Sequence, residues 1–255
     1  MRGPLLLCLA LLVGCKGKDD RSTLDVVLER GELIIGTEAE FPPFESKDEK
    51  GEFVGFDMDM ARELAKDLGV KLRIEDMPFD SLPTALGSGS IDLIISGMSA
   101  TEERARSFSF TDPYYKTELV LLVNKDSGIT KASDADGKRI AVKTGTTGEI
   151  QARTLFPKAE LVPFPYEVSC ALEVATGRAD AFLYDRHSIL RHNRNSAETT
   201  RVIDEPLSSE PYAMAARLED TKFLERLNRF LKDFRSDGRY ERIYELHFAE
   251  PPRPQ

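Results

Sequence analysis

Short apolar runs alternate along the chain with segments in which apolar residues recur at helical spacing. In the first half, the runs GELIIGTEA, VKLRIEDM and IDLIISG predict β-strands. Between them, GFDMDMARELAKDLG predicts an amphipathic helix that ends at Gly69, and FDSLPTALGSGS predicts a short helix. This alternation is typical of an α/β protein.

The alternation restarts after an extended segment, TELVLLVNK. There, GKRIAVKTGTTGEIQARTLF predicts strand, glycine-rich turn and helix, EVSCALEVATGRADAFLYD predicts helix, turn and strand, and RHSILRHNR predicts another helix. Two such sets indicate two lobes, between which the chain crosses near Tyr115–Leu119 and again near Glu210–Met214. We therefore expect lobe 1 to comprise residues 24–116 and 213–255, and lobe 2 to comprise residues 117–212.

The N-terminal stretch MRGPLLLCLALLVGC combines one positive charge with an apolar run. The run is too short to span a bilayer, which needs about 20 helical residues, and it predicts a secretory signal over residues 1–14. The residues before Cys15 resemble the lipobox of bacterial lipoproteins, and this resemblance implies cleavage before Cys15 and lipidation of its thiol. Residues 15–23 would then form a polar tether to a membrane. The alternative is an ordinary signal with a chance cysteine.

Composition narrows the classes of partner and cofactor. The formal net charge of −9 argues against a surface that binds nucleic acid. Three cysteines are too few for a disulfide scaffold, and Cys170 lies in a helical pattern typical of a small buried residue. The three histidines have no metal-ligand spacing, so we expect no metal site and no other cofactor.

Several longer segments resemble the bacterial extracellular solute-binding proteins of amino-acid ABC transporters, family 3. They cover nearly all of residues 30–248 in the family's order, and GFDMDMA, SATEER and FTDPYY together are the most specific part. The resemblance implies a type II periplasmic-binding-protein fold, in which two α/β lobes joined by a two-stranded hinge close over a ligand in the cleft. It also implies a monomeric receptor in the periplasm or at the cell surface that delivers a free amino acid to an ABC permease.

The stretch IDLIISGMSATEER predicts a strand and then a helix that begins near Ser99, with Glu102 completing a capping box. An arginine in the first turns of a helix is unfavourable by roughly 0.3–1 kcal/mol unless an anion lies nearby. The resemblance implies that Arg104 binds the α-carboxylate of the ligand, with Ser99 and the backbone of Gly97 and Met98 close to its α-amino and carboxylate groups. A surface arginine paired with a neighbouring glutamate is the alternative.

In the second lobe, KTGTTGE predicts a strand end, a glycine turn and a helix that starts near Thr146–Thr147. Helix N-termini bind carboxylates, and the resemblance implies a second carboxylate contact through Thr147. Asp185 ends the predicted strand DAFLYD, where α/β proteins place functional groups, and the resemblance assigns it to the α-ammonium group. Capping of the next helix is the alternative for Asp185.

Four residues match positions that contact the ligand side chain in the family: Glu38, Phe41, Phe79 and Lys143. The two phenylalanines match rings that stack on the ligand side chain, and core packing is the alternative for each. Glu38 favours a cationic or amide-bearing ligand, whereas Lys143 disfavours a full positive charge. We therefore predict a polar or basic L-amino acid of the glutamine, arginine, lysine or histidine class.

Two other functions share this pattern. Periplasmic cyclohexadienyl dehydratases resemble these receptors and eliminate water and carbon dioxide from prephenate or arogenate, for which Glu38 or Asp185 could serve as the general acid. A sensory module that acts through a separate receptor is the other. Because Arg104, Thr147 and Asp185 together fit a zwitterion, we expect a binding protein and not an enzyme.

Overall fold

The structure, a computed structural model, describes residues 21–248. The predicted signal over residues 1–14, the lipidation site Cys15 and most of the predicted tether lie outside the described residues. The described chain forms two lobes of mixed α/β structure, as the alternation of patterns predicts. None of the helices within residues 21–248 is long and apolar enough to cross a membrane.

Lobe 1 is built on a five-stranded sheet that consists of β1 (Glu32–Thr37), β5 (Lys71–Asp76), β6 (Leu93–Ile94), β7 (Phe108–Phe110) and β13 (Ala215–Arg217). The spatial order is β5-β1-β6-β13-β7. β1 pairs in parallel with β5 and β6, whereas β13 runs antiparallel to β6 and β7. The helices of this lobe are α1 (Thr23–Arg30), α2 (Phe56–Leu68), α3 (Leu82–Ser88), α7 (Thr221–Ser236) and α8 (Arg239–Phe248).

Successive side chains of β1 point to opposite faces of the sheet, as the geometry of a strand requires. Leu33 and Ile35 lie in the core that α2 and α7 cover. Ile34 lies in a smaller core with Leu82 and Leu86 of α3. The sheet is therefore apolar on both faces, which explains the uninterrupted apolar run in the sequence.

Lobe 2 has a second five-stranded sheet that consists of β8 (Tyr115–Asn124), β9 (Arg139–Lys143), β10 (Glu160–Phe164), β11 (Ala181–Asp185) and β12 (Thr200–Tyr212). The order is β10-β9-β11-β8-β12, with β9 parallel to β10 and β11, and β8 antiparallel to β11 and β12. Its helices are α4 (Thr147–Leu155), α5 (Glu167–Ala175) and α6 (Arg186–Asn195). Cys170 of α5 is fully buried, as expected.

The lobes are joined where β8 and β12 run side by side. Tyr115 is opposite Tyr212, and the pairing continues from there into lobe 2, with an irregularity between Ile203 and Ser208. On the lobe 1 side, the Ala100 N–H donates to the carbonyl of Pro211 over 2.8 Å. Two adjacent extended segments therefore connect the lobes, which is the geometry of a hinge.

The last two residues of the predicted tether, Ser22 and Thr23, belong to the folded structure. Ser22 caps α1 by accepting a hydrogen bond from the Leu24 N–H over 3.2 Å, and Thr23 is buried. Asp220, which caps α7, accepts hydrogen bonds from the Ser22 hydroxyl and the Thr23 N–H, each over 2.7 Å. These bonds fix Ser22 and Thr23 to the folded body.

The helix predicted from Ser99 is absent from the described chain, and so is the capping box with Glu102. Ser99 instead forms a β-bridge with Tyr212 of the hinge, and the following residues form only a three-residue 3-10 turn, Arg104–Arg106. Ser99 and Ala100 are bound to β12 and β7 begins at Phe108, so the segment between them forms a short turn instead of the predicted helix. A small sheet of β2 (Glu40–Phe41), β3 (Glu45–Lys47) and β4 (Phe53–Val54), which the sequence pattern did not indicate, precedes α2.

Candidate functional site

Residues of both lobes line a cavity in the cleft, whose empty volume, including some open solvent, is about 310 Å³. Every predicted binding residue except Met98 lines the cavity, from both lobes. Three further lining residues were not predicted: Glu45, Ser96 and Tyr184.

Arg104 reaches across the cleft from lobe 1. Its guanidinium donates to the carbonyl of Ser99 over 2.9 Å and to the carbonyl of Gly145 in lobe 2 over 3.0 Å. The guanidinium carbon also lies 5.5 Å from the centre of the Phe79 ring. Burial lowers the pKa of Arg104 from its usual value, but arginine remains charged in proteins. The two carbonyls therefore orient a fork whose remaining N–H groups can bind a carboxylate.

The start of α4 faces Arg104 from lobe 2. Thr147 is the first residue of the helix, as predicted, and the Thr146 hydroxyl donates to the carbonyl of Lys143 over 2.7 Å instead of capping the helix. The N–H groups of the first turn are therefore left without a side-chain cap. A Cβ on Gly148 would lie 2.5 Å from the carbonyl oxygen of Leu183, so only glycine allows α4 to approach β11 this closely.

Asp185 ends β11 and is 6% exposed. Although it occupies the N-cap position of α6, its side chain caps nothing and instead accepts a hydrogen bond from the Tyr212 hydroxyl. Burial raises the pKa of Asp185 to about 7. Lys143 only partly offsets this effect, and Asp185 forms no ion pair with another described residue, so a ligand ammonium group would stabilise the carboxylate form.

Glu38 and Lys143 form a buried ion pair across the cleft, with side chains 5% and 2% exposed. Burial raises the pKa of Glu38. The Lys143 ammonium also lies 5.7 Å from the ring centre of Phe79 and 5.9 Å from that of Tyr184. The two charges that the sequence suggested as competing contacts for the ligand side chain therefore contact each other.

Phe41 is 5% exposed and belongs to the main core as well as to the cavity lining. Its ring centre lies 4.7 Å from that of His187 and 5.8 Å from that of Tyr184, both in lobe 2. The two alternatives for Phe41, cavity wall and core, are thus combined in one ring. The Met98 side chain is buried in the core with Ile34 beneath α3, so only its backbone is available for the predicted contact.

Gly97 is required by two features of the site. Its φ is +49°, which favours glycine, and a Cβ there would lie 2.6 Å from Cε1 of Phe41. Gly31 also has a positive φ, +70°, but an added Cβ would meet no atom within 4 Å. Alanine substitutions at Gly31 and Gly97 therefore separate the cost of backbone strain from the cost of crowding.

We expect Gly31→Ala to cost about 1 kcal/mol of unfolding free energy through its left-handed backbone. Gly97→Ala should cost about 1–3 kcal/mol more, because the Phe41 ring must move. Urea unfolding of both variants measures the difference, and equal losses would contradict the crowding of Phe41 against residue 97.

The sequence contains a signal for two of the three unpredicted lining residues but not for the third. Ser96 follows β6 and Tyr184 precedes the last residue of β11, so the rule that sites lie at the carboxyl ends of strands could have found both. Glu45 lies at the start of β3, in a small sheet with no recognisable pattern. No signal in the sequence pointed to it.

Comparisons with known proteins agree with this architecture. The profile of the bacterial extracellular solute-binding proteins, family 3, matches residues 33–250. A probable histidine-binding protein of Neisseria gonorrhoeae is 30% identical over 251 residues, which cover 96% of this chain and 94% of that protein.

Two solved structures have similar folds over most of their length. An ancestral arginine-binding protein bound to glutamine matches with a TM-score of 0.81 and 38% identity, covering 87% of this chain and 99% of that one. The ancestral amino acid-binding protein AncCDT-1, a precursor of cyclohexadienyl dehydratase, matches with a TM-score of 0.80 and 36% identity, covering 90% and 100%.

Proposed function

Because the chain belongs to the bacterial extracellular solute-binding proteins, family 3, we propose that it binds a polar L-amino acid in its cleft and delivers it to an ABC permease. The observation that carries this proposal is the arrangement of opposite charges around one cavity. Arg104 and the N-terminus of α4 suit a carboxylate, and Asp185 suits an ammonium group. A zwitterion satisfies both ends at once.

Closure follows from the same contacts. Arg104 of lobe 1 already donates to Gly145 of lobe 2, and Arg191 of lobe 2 donates to the carbonyl of Pro42 of lobe 1 over 3.1 Å. A carboxylate between Arg104 and α4 would bind groups from both lobes. Ligand binding can favour the closed state only through such contacts, which the open state lacks.

The Glu38–Lys143 ion pair favours a neutral polar side chain. A carboxamide can accept from the Lys143 ammonium and donate to the Glu38 carboxylate, whereas a guanidinium would lie beside the positive charge of Lys143. Within the predicted class we therefore favour glutamine over arginine and lysine.

Replacing Lys143 should change this preference. We expect Lys143→Gln to raise the ratio of arginine to glutamine affinity by roughly tenfold or more, about 1.4 kcal/mol, because Glu38 is then free to bind a cation. Calorimetric titration of both amino acids measures the ratio, and Lys158→Gln, with an 82% exposed side chain in the same lobe, is the control. An unchanged ratio would contradict the assignment of this pair to the ligand side chain.

A binding screen tests the proposed function as a whole. The protein without residues 1–20 is unfolded, refolded free of ligand, and examined by thermal shift and calorimetry with the twenty amino acids, ornithine, citrulline, prephenate and arogenate. We expect a micromolar dissociation constant, about −8 kcal/mol, for a polar amino acid. No amino-acid binding would refute the proposal.

Enzymatic dehydration is the second candidate, favoured by the similarity to the precursor of cyclohexadienyl dehydratase and by the buried acid Asp185. Consumption of prephenate or arogenate in the same screen would establish it.

We further propose that the protein is anchored in the periplasm or at the cell surface as a monomer through lipid on Cys15. Mass spectrometry of the membrane fraction tests this, since Cys15→Ser should release the protein without the lipid mass.

A further inference from the structure

Two buried carboxyl groups that an amino-acid backbone would not need lie in the lobe 1 wall of the cavity. Glu45 begins β3 and lines the cavity, and Asp57 lies behind it in the first turn of α2. Glu45 is 1% exposed and Asp57 is 0% exposed. The Asp57 N–H donates to the carbonyl of Phe44 over 2.9 Å, so Asp57 lies beside the residue that precedes Glu45.

The hydrogen-bond donors around Glu45 are already committed. Its Oε1 accepts from the Ser96 hydroxyl over 2.9 Å. That hydroxyl oxygen in turn accepts from the Glu38 N–H over 3.0 Å. Ser96 has one proton to donate, so it cannot also serve Oε2 of Glu45.

The donors around Asp57 are committed in the same way. Its Oδ2 accepts from the Gly97 N–H over 2.9 Å and from the Tyr114 hydroxyl over 2.7 Å. This leaves Oε2 of Glu45 and Oδ1 of Asp57, both buried, and neither accepts a hydrogen bond from any described residue. Buried carboxylate oxygens without donors are costly, and one proton between the two groups would satisfy both.

The surrounding charges do not neutralise this pair. Lys143 faces it from the cavity side but is bound to Glu38. His247 of α8 faces Asp57 from behind, with Nε2 2.7 Å from Oδ2 of Asp59. Glu38 adds a negative charge that acts on Glu45, and the buried hydroxyl groups of Tyr114 and Tyr184 also face the pair.

Electrostatics agrees with the geometry. Two carboxylates that share a site cannot both ionise easily, so one pKa rises strongly. Burial raises the pKa of Asp57 to about 6, and burial next to Asp57 raises that of Glu45 well above its ordinary range. The pair titrates as a unit.

We propose that Glu45 and Asp57 form a proton-binding site in the cavity wall, with one proton shared between Oε2 of Glu45 and Oδ1 of Asp57. A cationic ligand side chain displaces this proton and a neutral one leaves it in place. In the displacement, the carboxylic O–H bond breaks, the proton passes to solvent, and the ligand cation compensates the second carboxylate. Only this ligand-dependent part rests on the proposed function.

The site itself is tested without ligand, by thermal unfolding of the wild type between pH 5 and 8. When a group binds its proton more tightly in the folded state than in the unfolded state, the stability of the folded protein falls as pH rises. Between pH 5 and 8, we expect the unfolding midpoint of the wild type to fall by about 2–4 °C more than the midpoints of Glu45→Gln and Asp57→Asn. Each variant replaces the shared proton with an amide donor. Glu40→Gln, an exposed change nearby, should follow the wild type. Parallel curves for the wild type and both variants would overturn the proposal.

The ligand-dependent part is tested by calorimetry in buffers of different ionisation enthalpy, which counts the protons released on binding. Arginine and citrulline have the same backbone and shape, so protons that come from groups around the backbone cancel in their difference. We expect arginine to release more protons than citrulline, by up to one per site, in the wild type but not in Glu45→Gln. Equal release in the wild type would overturn displacement. If neither ligand binds, the proposed function is tested by the screen, while the unfolding curves still decide the proton site.

Discussion

Arg104→Ala should weaken binding of the amino acid found by the screen by at least about 100-fold, or about 2.7 kcal/mol. The α-carboxylate would lose its main cation inside a closed cavity, where the desolvated charge has no substitute. Arg104→Lys should retain part of the affinity, because an ammonium supplies charge but not the planar fork. Calorimetric titration measures the dissociation constants.

The difficulty with this variant is that Arg104 also orders the carbonyls of Ser99 and Gly145. An α-carboxamide analogue of the ligand separates the two effects in a double-mutant cycle. If Arg104 binds the carboxylate, the variant should lose little affinity for the analogue. Equal losses for both ligands would mean that the arginine only shapes the cleft. Arg106→Ala, an exposed change in the same turn, is the matched control.

Asp185→Asn should have the second largest effect, a loss of about 2 kcal/mol or more, because the α-ammonium would lose its counter-charge in the cavity. The pH dependence gives a more specific test. The ligand-free pKa of Asp185 is about 7, and an ammonium beside the carboxylate must lower it. Binding then releases a proton, so affinity should fall as pH drops below 7, by at most about tenfold per unit, and level off above it.

Glutamine is the appropriate ligand for this profile, since a neutral side chain leaves the shared proton of Glu45 and Asp57 undisturbed. Asp185→Asn should remove most of the slope between pH 5.5 and 7 along with the affinity. Asp204→Asn, an exposed change that affects a surface ion pair with Arg186, should keep both. A variant with weakened binding but an unchanged pH profile would show that Asp185 is not the group that titrates.

The sequence predicts well those features that depend on local periodicity. Most strands of the two five-stranded sheets and most helices follow from apolar spacing, although β7 and β10 were not predicted. The family resemblance, and not spacing alone, indicated Arg104, Thr147 and Asp185, which lie around one cavity. The helix expected from Ser99 fails because a capping signal specifies where a helix starts but not how much chain is available for it. Here the chain enters β7 after a single 3-10 turn.

Other features depend on contacts between distant segments, which spacing does not encode. Glu38 and Lys143 could be recognised singly as site residues, but their mutual ion pair requires both lobes in place. The partnership of Glu45 with Asp57 likewise depends on how a small irregular sheet packs against α2. The position of Ser22, for example, is fixed by Asp220, almost two hundred residues away.

The position of β13 has a consequence for the order in which the chain can fold. This strand comes from the late part of the sequence, yet it lies between β6 and β7 inside the first sheet. Lobe 2 is one continuous segment, so its contacts can form as soon as that segment is available. The sheet of lobe 1 cannot be completed until β13 is available, and contacts between strands that are distant in sequence form slowly. During synthesis from the N-terminus, β6 and β7 would therefore expose unpaired edges until β13 arrives, a window in which a chaperone would have something to protect.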